Sequence, residues 1–143
     1  LRLALETMAA RLACRNFSEA DEQRIADNIE RTRAASRLLE LTLLDVEFHD
    51  LMVQAARHSR LATCWATLRH QLEFWLARMQ SRLDAPVPKT REATVRNHQG
   101  LLAALRSGNE ARATKAARDH IEGWRRQHVA RGINSRAARQ KQP

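Results

Sequence analysis

Apolar residues recur at intervals of three and four along most of the chain, the spacing that places them on one face of an α-helix. Short breaks divide this pattern into six stretches. They predict helices at about residues 1–15, 18–36, 38–57 and 89–106, a fourth helix that follows a joint at residues 58–59 and runs to 83, and a sixth that starts after Asn109 and fades near residue 130. No stretch has the pattern of a strand. The chain is therefore predicted to form one all-α domain.

Residue types at the breaks support these boundaries. Ser18 is placed to cap the second helix, with Asp21 three residues later in a variant of the capping box. Two prolines within segment 84–88 stop the fourth helix, because proline cannot continue the hydrogen-bond ladder. Gly108 suits the left-handed position after the fifth helix, and Asn109 is a good cap for the sixth.

Two helices carry apolar stripes that we expect to be covered. The stripe of the first helix comprises Leu1, Leu5, Met8, Ala9, Leu12 and Ala13. The stripe of the fourth is the longest in the chain: Leu61, Trp65, Leu68, Leu72, Trp75, Leu76, Met79 and Leu83. At this spacing the two tryptophans are expected to serve core or interface packing rather than to wall a pocket.

Composition narrows the class of protein. The 143 residues suit a single domain, and 4 glycines with 3 prolines are too few for the many turns of an all-β or α/β fold. No apolar run approaches the length of a membrane span. The chain opens on an amphipathic helix without an initiator methionine, so we expect a fragment of a longer protein rather than a signal peptide.

The net charge of +9 is concentrated near the C-terminus, where no carboxylate side chain follows Glu122. We expect residues 131–143 to form a basic, flexible tail with at most weak, salt-dependent attraction for nucleic acid. A nucleic-acid-binding module is an alternative, but no aromatic residues interleave the charges of the tail. Cys14 and Cys64 look like small buried residues of a reducing compartment, so a cytoplasmic location is expected.

Four polar residues lie on the inward side of three helices. Asp45 and His49 are four residues apart beside one apolar stripe, and His98 and His120 have the phase of the buried positions in the fifth and sixth helices. A buried aspartate needs a partner for its charge. A divalent cation shared by all four residues therefore explains their inward positions better than four unrelated causes. The ligand set does not choose among zinc, nickel, manganese and iron, and zinc is our first expectation.

The other histidines, His58, His70 and His128, are expected to be structural or solvated. A metal-dependent enzyme acting on small hydroxy or keto acids is an alternative function. No general base is evident near the ligands beyond Glu47, which by helical phase points away from Asp45 and His49.

At these residues the chain resembles a known family. The resemblance rests on Leu44-Asp45-x-x-Phe48-His49, Asn97-His98-x-x-Leu101-Leu102-x-Ala104, Gly108-Asn109-x-x-x-Ala113, His120 and the opening Arg2-x-x-x-Glu6-x-x-Ala9-Ala10. These motifs look like those of the FCD domain, the C-terminal effector-sensing domain of the FadR subfamily of GntR transcription regulators. The resemblance extends over about residues 1–128. It departs from the family at Asn97 and Asn109, where glutamate and aspartate are usual.

The resemblance implies an antiparallel bundle of six helices with an interior metal held by Asp45, His49, His98 and His120. A small organic acid would fill the open coordination positions, with Arg2 gripping its carboxylate and Thr94 adding a hydroxyl. The family also implies a homodimer, with the first or fourth helix as the dimer surface. Operator DNA would be bound only through an N-terminal winged helix-turn-helix domain, which is absent from this chain.

Overall fold

The computed structural model describes residues 1–82 and 86–123, and these form six α-helices without a strand among them. The first five are α1 (Arg2–Asn16), α2 (Glu19–Ala34), α3 (Leu38–Ala55), α4 (Ser59–Arg82) and α5 (Val87–Arg106). The sixth, α6, covers 110–123 within the described part. The predicted all-α helical bundle is confirmed.

The caps form as their residue types predict. Ser18 and Asp21 complete a reciprocal capping box at the start of α2. Gly108 has φ 64, the left-handed conformation expected after a helix, and Asn109 Oδ1 accepts a hydrogen bond from the Arg112 N–H at the start of α6. α5 begins at Val87, two residues earlier than predicted, because proline is tolerated in the first turn of a helix.

Helix α3 lies at the centre of the bundle, packing against α1, α2, α4 and α5. It is the most apolar helix, and its ten buried residues include both small and large side chains. The main core also takes Ala9, Ala10 and Ala13 from α1 and Ala113 and Ala117 from α6. Because α3 is surrounded, a polar side chain on its inner face is removed from bulk water.

Several expectations about burial are wrong. Leu1 is 83% exposed and Met8 37% exposed, because the buried face of α1 is turned toward Glu6, Ala10 and Cys14. Trp65 is buried in the core, whereas Trp75 is 42% exposed, so of the two expected roles only interface packing remains open to Trp75. Cys64 is exposed on the outer face of α4, so only Cys14 is the buried cysteine that was expected.

Some predictions concern residues outside the described part. They are Leu83, the end of the sixth helix, His128 and the basic tail 131–143; the side chain of Met79 is also not described. Among the described helices, none has a segment both long and apolar enough to cross a membrane.

Candidate metal centre

The four residues singled out on the inward faces come together in the middle of the bundle. Asp45 and His49 lie one turn apart on α3, His98 comes from α5 and His120 from α6. Each offers one ligand atom, and these four atoms all lie within 4.8 Å of one another. His49 and His98 are fully buried, and the side chain of Asp45 is 13% exposed. Three helices that are distant in sequence thus contribute to one polar cluster.

The distances inside the cluster fit a metal ion. Nε2 of His49 and Nε2 of His120 are 3.2 Å apart, and Nε2 of His98 is 3.2 Å from Asp45 Oδ1. Donors bound to zinc at about 2.0–2.1 Å in tetrahedral directions are roughly 3.3 Å from one another. Nδ1 of His98 and of His120 has no hydrogen-bond partner within the described residues. The donor set of three imidazoles and one carboxylate therefore suits a divalent cation.

A second layer of contacts comes from α1 and holds His49. Glu6 is fully buried, and its Oε2 lies 2.6 Å from His49 Nδ1. A proton on Nδ1 facing this carboxylate leaves the lone pair of Nε2 directed at the cluster, the arrangement that outer carboxylates impose on metal-binding histidines. Arg2 Nε donates to Glu6 Oε1 at 2.5 Å, and Arg2 Nη2 is 3.0 Å from His49 Nε2.

This role of Glu6 was missed at the level of sequence. In the sequence Glu6 is singled out only as part of the opening motif and not as a contact of the candidate metal ligands. The signal that was present is the spacing of Arg2 and Glu6, which places a charged pair on one helical face.

Electrostatics hold the cluster in the protonation states that bind a metal. Burial alone would raise the pKa of Asp45, but the contact with His98 and the nearby His49 and Arg2 lower it well below its usual range. In the same way His49 and Arg2 lower the pKa of Glu6 to about 2, against the effect of burial. Burial lowers the pKa of His98, and it lowers that of His120 to about 3. At neutral pH both carboxylates are therefore ionised, and these two imidazoles are neutral donors.

Aromatic packing fixes one of the rings. Phe48 stacks on His98 with ring centroids 3.7 Å apart and an interplanar angle of 12°. Phe48 follows Asp45 by three residues on α3, so the helix that supplies two candidate ligands also supports the ring of a third. The stacking restricts rotation of the His98 ring about its bond to the chain.

The other candidate residues are placed as follows. Arg2 reaches the cluster, whereas the Thr94 hydroxyl donates to the Thr90 carbonyl one turn earlier on α5. Glu47 pairs with Arg31 on the surface, so it points away from the cluster as predicted. His58 Nδ1 accepts from the Leu61 N–H at the start of α4, and His70 is exposed.

The fold and the cluster together define an all-helical domain with a buried group of one aspartate and three histidines that is able to hold a metal. The FCD domain model matches residues 1–123, and the chain belongs to that family. The FCD domain is the C-terminal domain of GntR regulators, where it is regulatory rather than catalytic. A search of curated proteins finds no match to this chain.

Proposed function

We propose that this chain is the effector-sensing, dimerising domain of a GntR regulator of the FadR subfamily. It binds a divalent metal and a small organic acid, and the acid controls DNA binding by a winged-helix domain. Membership of the FCD family supports the regulatory role. The single observation that carries the metal proposal is the convergence of four ligand atoms within 4.8 Å of one another.

Asp45, His49, His98 and His120 would hold the ion, zinc in preference to nickel, manganese or iron. With four protein donors, an ion that accepts five or six ligands keeps positions for carboxylate oxygens or water. Glu6 orients His49 for this task through its 2.6 Å contact with Nδ1.

Arg2 is the proposed anchor for the carboxylate of the acid. Its guanidinium lies beside the cluster, its side chain is only 15% exposed, and it can form two parallel hydrogen bonds with a carboxylate. Thr94 remains a proposed contact, because its hydroxyl oxygen can still accept a hydrogen bond while it donates to Thr90.

Control of DNA binding would follow from a population shift. The acid has to bind one arrangement of the dimer better than the other, and its differential affinity sets the size of the response. The outer face of α4, where Phe74 is 70% exposed, or the face of α1 around Met8 is the proposed dimer surface. As a regulator of transcription the protein would act in the cytoplasm, where bacterial-type operators are accessible.

Elemental analysis of the purified chain tests the metal site. Wild-type protein should carry about one equivalent of a divalent metal, and Asp45→Ala and His120→Ala should lose it, since each removes one of four donors. His70→Ala is the matched control, because His70 is an exposed histidine away from the cluster. Equal metal content in all four proteins would refute the assignment.

A further inference from the structure

A cavity of about 550 Å³ lies between the start of α1, the middle of α4 and the end of the described part of α6. Most of its lining is apolar and comprises Leu1, Leu3, Leu68, Leu72, Trp75 and Ile121. The other two lining residues are Arg2 and Gln71. This volume is in the range of small-molecule sites, which combine apolar walls with a few polar groups that orient the ligand.

Arg2 connects this cavity to the candidate metal centre. It lines the cavity, and its Nη2 is 3.0 Å from Nε2 of His49. Glu6 holds the guanidinium from the other side through a 2.5 Å contact with Nε. The positive charge therefore lies at the end of the cavity that adjoins the cluster, and the apolar walls lie beyond it.

We propose that this cavity selects a monocarboxylic acid with an apolar body, aryl or branched alkyl, over sugar acids and citrate-like acids; this rests on the function proposed above. The carboxylate would pair with Arg2, and the body would pack against Leu68, Leu72 and Trp75.

Two physical arguments favour this class of acid. Hydroxyl groups on the body of a sugar acid would lose their hydrogen bonds to water against the apolar walls, which disfavours binding. Gln71 is the only uncharged polar side chain among the described lining residues that could replace those hydrogen bonds. A second or third carboxylate would find no further cationic side chain there, because among the described lining residues only Arg2 has a charged side chain.

Calorimetry on the metal-loaded full chain tests the selectivity with four probes: phenylacetate, acetate, gluconate and citrate. Phenylacetate should bind at least about tenfold more tightly than acetate, because its ring is removed from water. Its affinity should exceed those of gluconate and citrate by at least the same factor. Gluconate or citrate binding as tightly as phenylacetate would overturn the proposal.

Two neighbouring aromatic residues on α4 provide a matched pair of variants. Trp75→Ala should remove most of the advantage of phenylacetate over acetate and leave acetate binding and metal content unchanged. Phe74→Ala should leave that advantage intact, because Phe74 is 70% exposed and lies outside the cavity lining. An equal loss in both variants, or in neither, would refute the assignment of the cavity.

Two further measurements separate this inference from the proposed function. If wild-type protein binds metal but shows no preference for phenylacetate, the inference fails and the metal site stands. If wild-type and Asp45→Ala proteins have the same metal content, the proposed function fails. A third outcome would also overturn the inference. If the wild-type protein does not bind phenylacetate, and sedimentation shows that Trp75→Ala dissociates a dimer, the cavity belongs to the contact with a second copy of the chain.

Discussion

Two aspartates that are largely removed from water have different surroundings in this protein. Asp21, at the start of α2, is 5% exposed and is satisfied by the chain itself: Ser18 donates to it from its backbone and its hydroxyl, and Arg57 contacts both carboxylate oxygens at 3.2 and 2.7 Å. Asp45, at the centre of the bundle, faces imidazoles instead, and its Oδ1 is 3.2 Å from His98 Nε2.

The difference separates a structural carboxylate from one prepared for a ligand. Around Asp21 the guanidinium of Arg57 supplies a permanent positive charge, and the carboxylate already accepts hydrogen bonds at both oxygens, so it needs no further ligand. Around Asp45 burial favours neutral His98 and His120, and neutral imidazoles offer lone pairs that a cation can use. The small difference in exposure, 5% for Asp21 and 13% for the Asp45 side chain, does not explain the two roles, because the distinction lies in the chemistry of their neighbours.

The largest expected effect is the response of each site to metal. Zinc at 1,000 times its Kd should stabilise the wild-type protein by about 4 kcal/mol, which corresponds to a rise in Tm of roughly 10 °C. Asp45→Ala should abolish the rise, and Asp21→Asn should keep it. Differential scanning calorimetry with zinc and with a chelator measures both; a retained rise in Asp45→Ala would remove the proposed difference between the two aspartates.

Next in size is the effect of the outer carboxylate. Glu6→Gln keeps the shape of the side chain but weakens its hold on the His49 N–H, so metal affinity should fall about 10- to 100-fold. Competition with a chromophoric chelator measures this affinity. Glu110→Gln, a change in a carboxylate that pairs with Arg15 on the surface, is the control and should leave the affinity unchanged. An unaltered affinity in Glu6→Gln would show that Glu6 serves packing alone.

A smaller effect is expected at the satisfied aspartate. Asp21→Asn removes the negative charge that pairs with Arg57 and weakens the capping box, so the free energy of unfolding should fall by about 1–2 kcal/mol. Urea denaturation measures the change. Metal affinity should be the same as in the wild type, and a loss of metal would contradict the separation of the two sites.

The smallest effect is the pH dependence of that stabilisation. Burial would raise the pKa of Asp21, but the hydrogen bonds from Arg57 and Ser18 lower it below its ordinary value of 3.8. Since the folded pKa is lower than the unfolded one, the contribution of Asp21 is complete above the unfolded pKa and declines as the pH falls through the folded pKa. The stability difference between wild type and Asp21→Asn, measured by denaturation from pH 7 to pH 2, should therefore shrink below about pH 4. A difference that grows on acidification would contradict the assigned ion pair.

Much of the fold could be predicted because helix periodicity and caps are local signals. Ser18 with Asp21, Gly108 and Asn109 all act through neighbours within a few residues, so their types were sufficient to place the ends of helices. The buried positions of His49 and His98 followed from the same periodicity. That four residues bind a metal remains a prediction, although the structure brings them together.

The remainder depends on contacts between distant segments. The rotation of α1 could not be read from its own stripe, because the reason for burying Glu6 is His49, on another helix. The apolar stripe therefore included Leu1 and Met8, which are exposed, and left out Glu6, which is buried. The burial predicted for Cys64 was wrong for a related reason: α4 packs on its neighbours along one side, and periodicity does not show where that side ends.

The stack of Phe48 on His98 has a consequence for how strongly this domain can bind. Orienting a free imidazole costs conformational entropy each time a complex forms. Here that loss occurs when α3 and α5 pack, since the 3.7 Å stack already restrains the ring. The ring of His98 therefore loses its rotational freedom when the protein folds. Binding of a cation does not have to restrict the ring again, so this entropy loss does not weaken the binding.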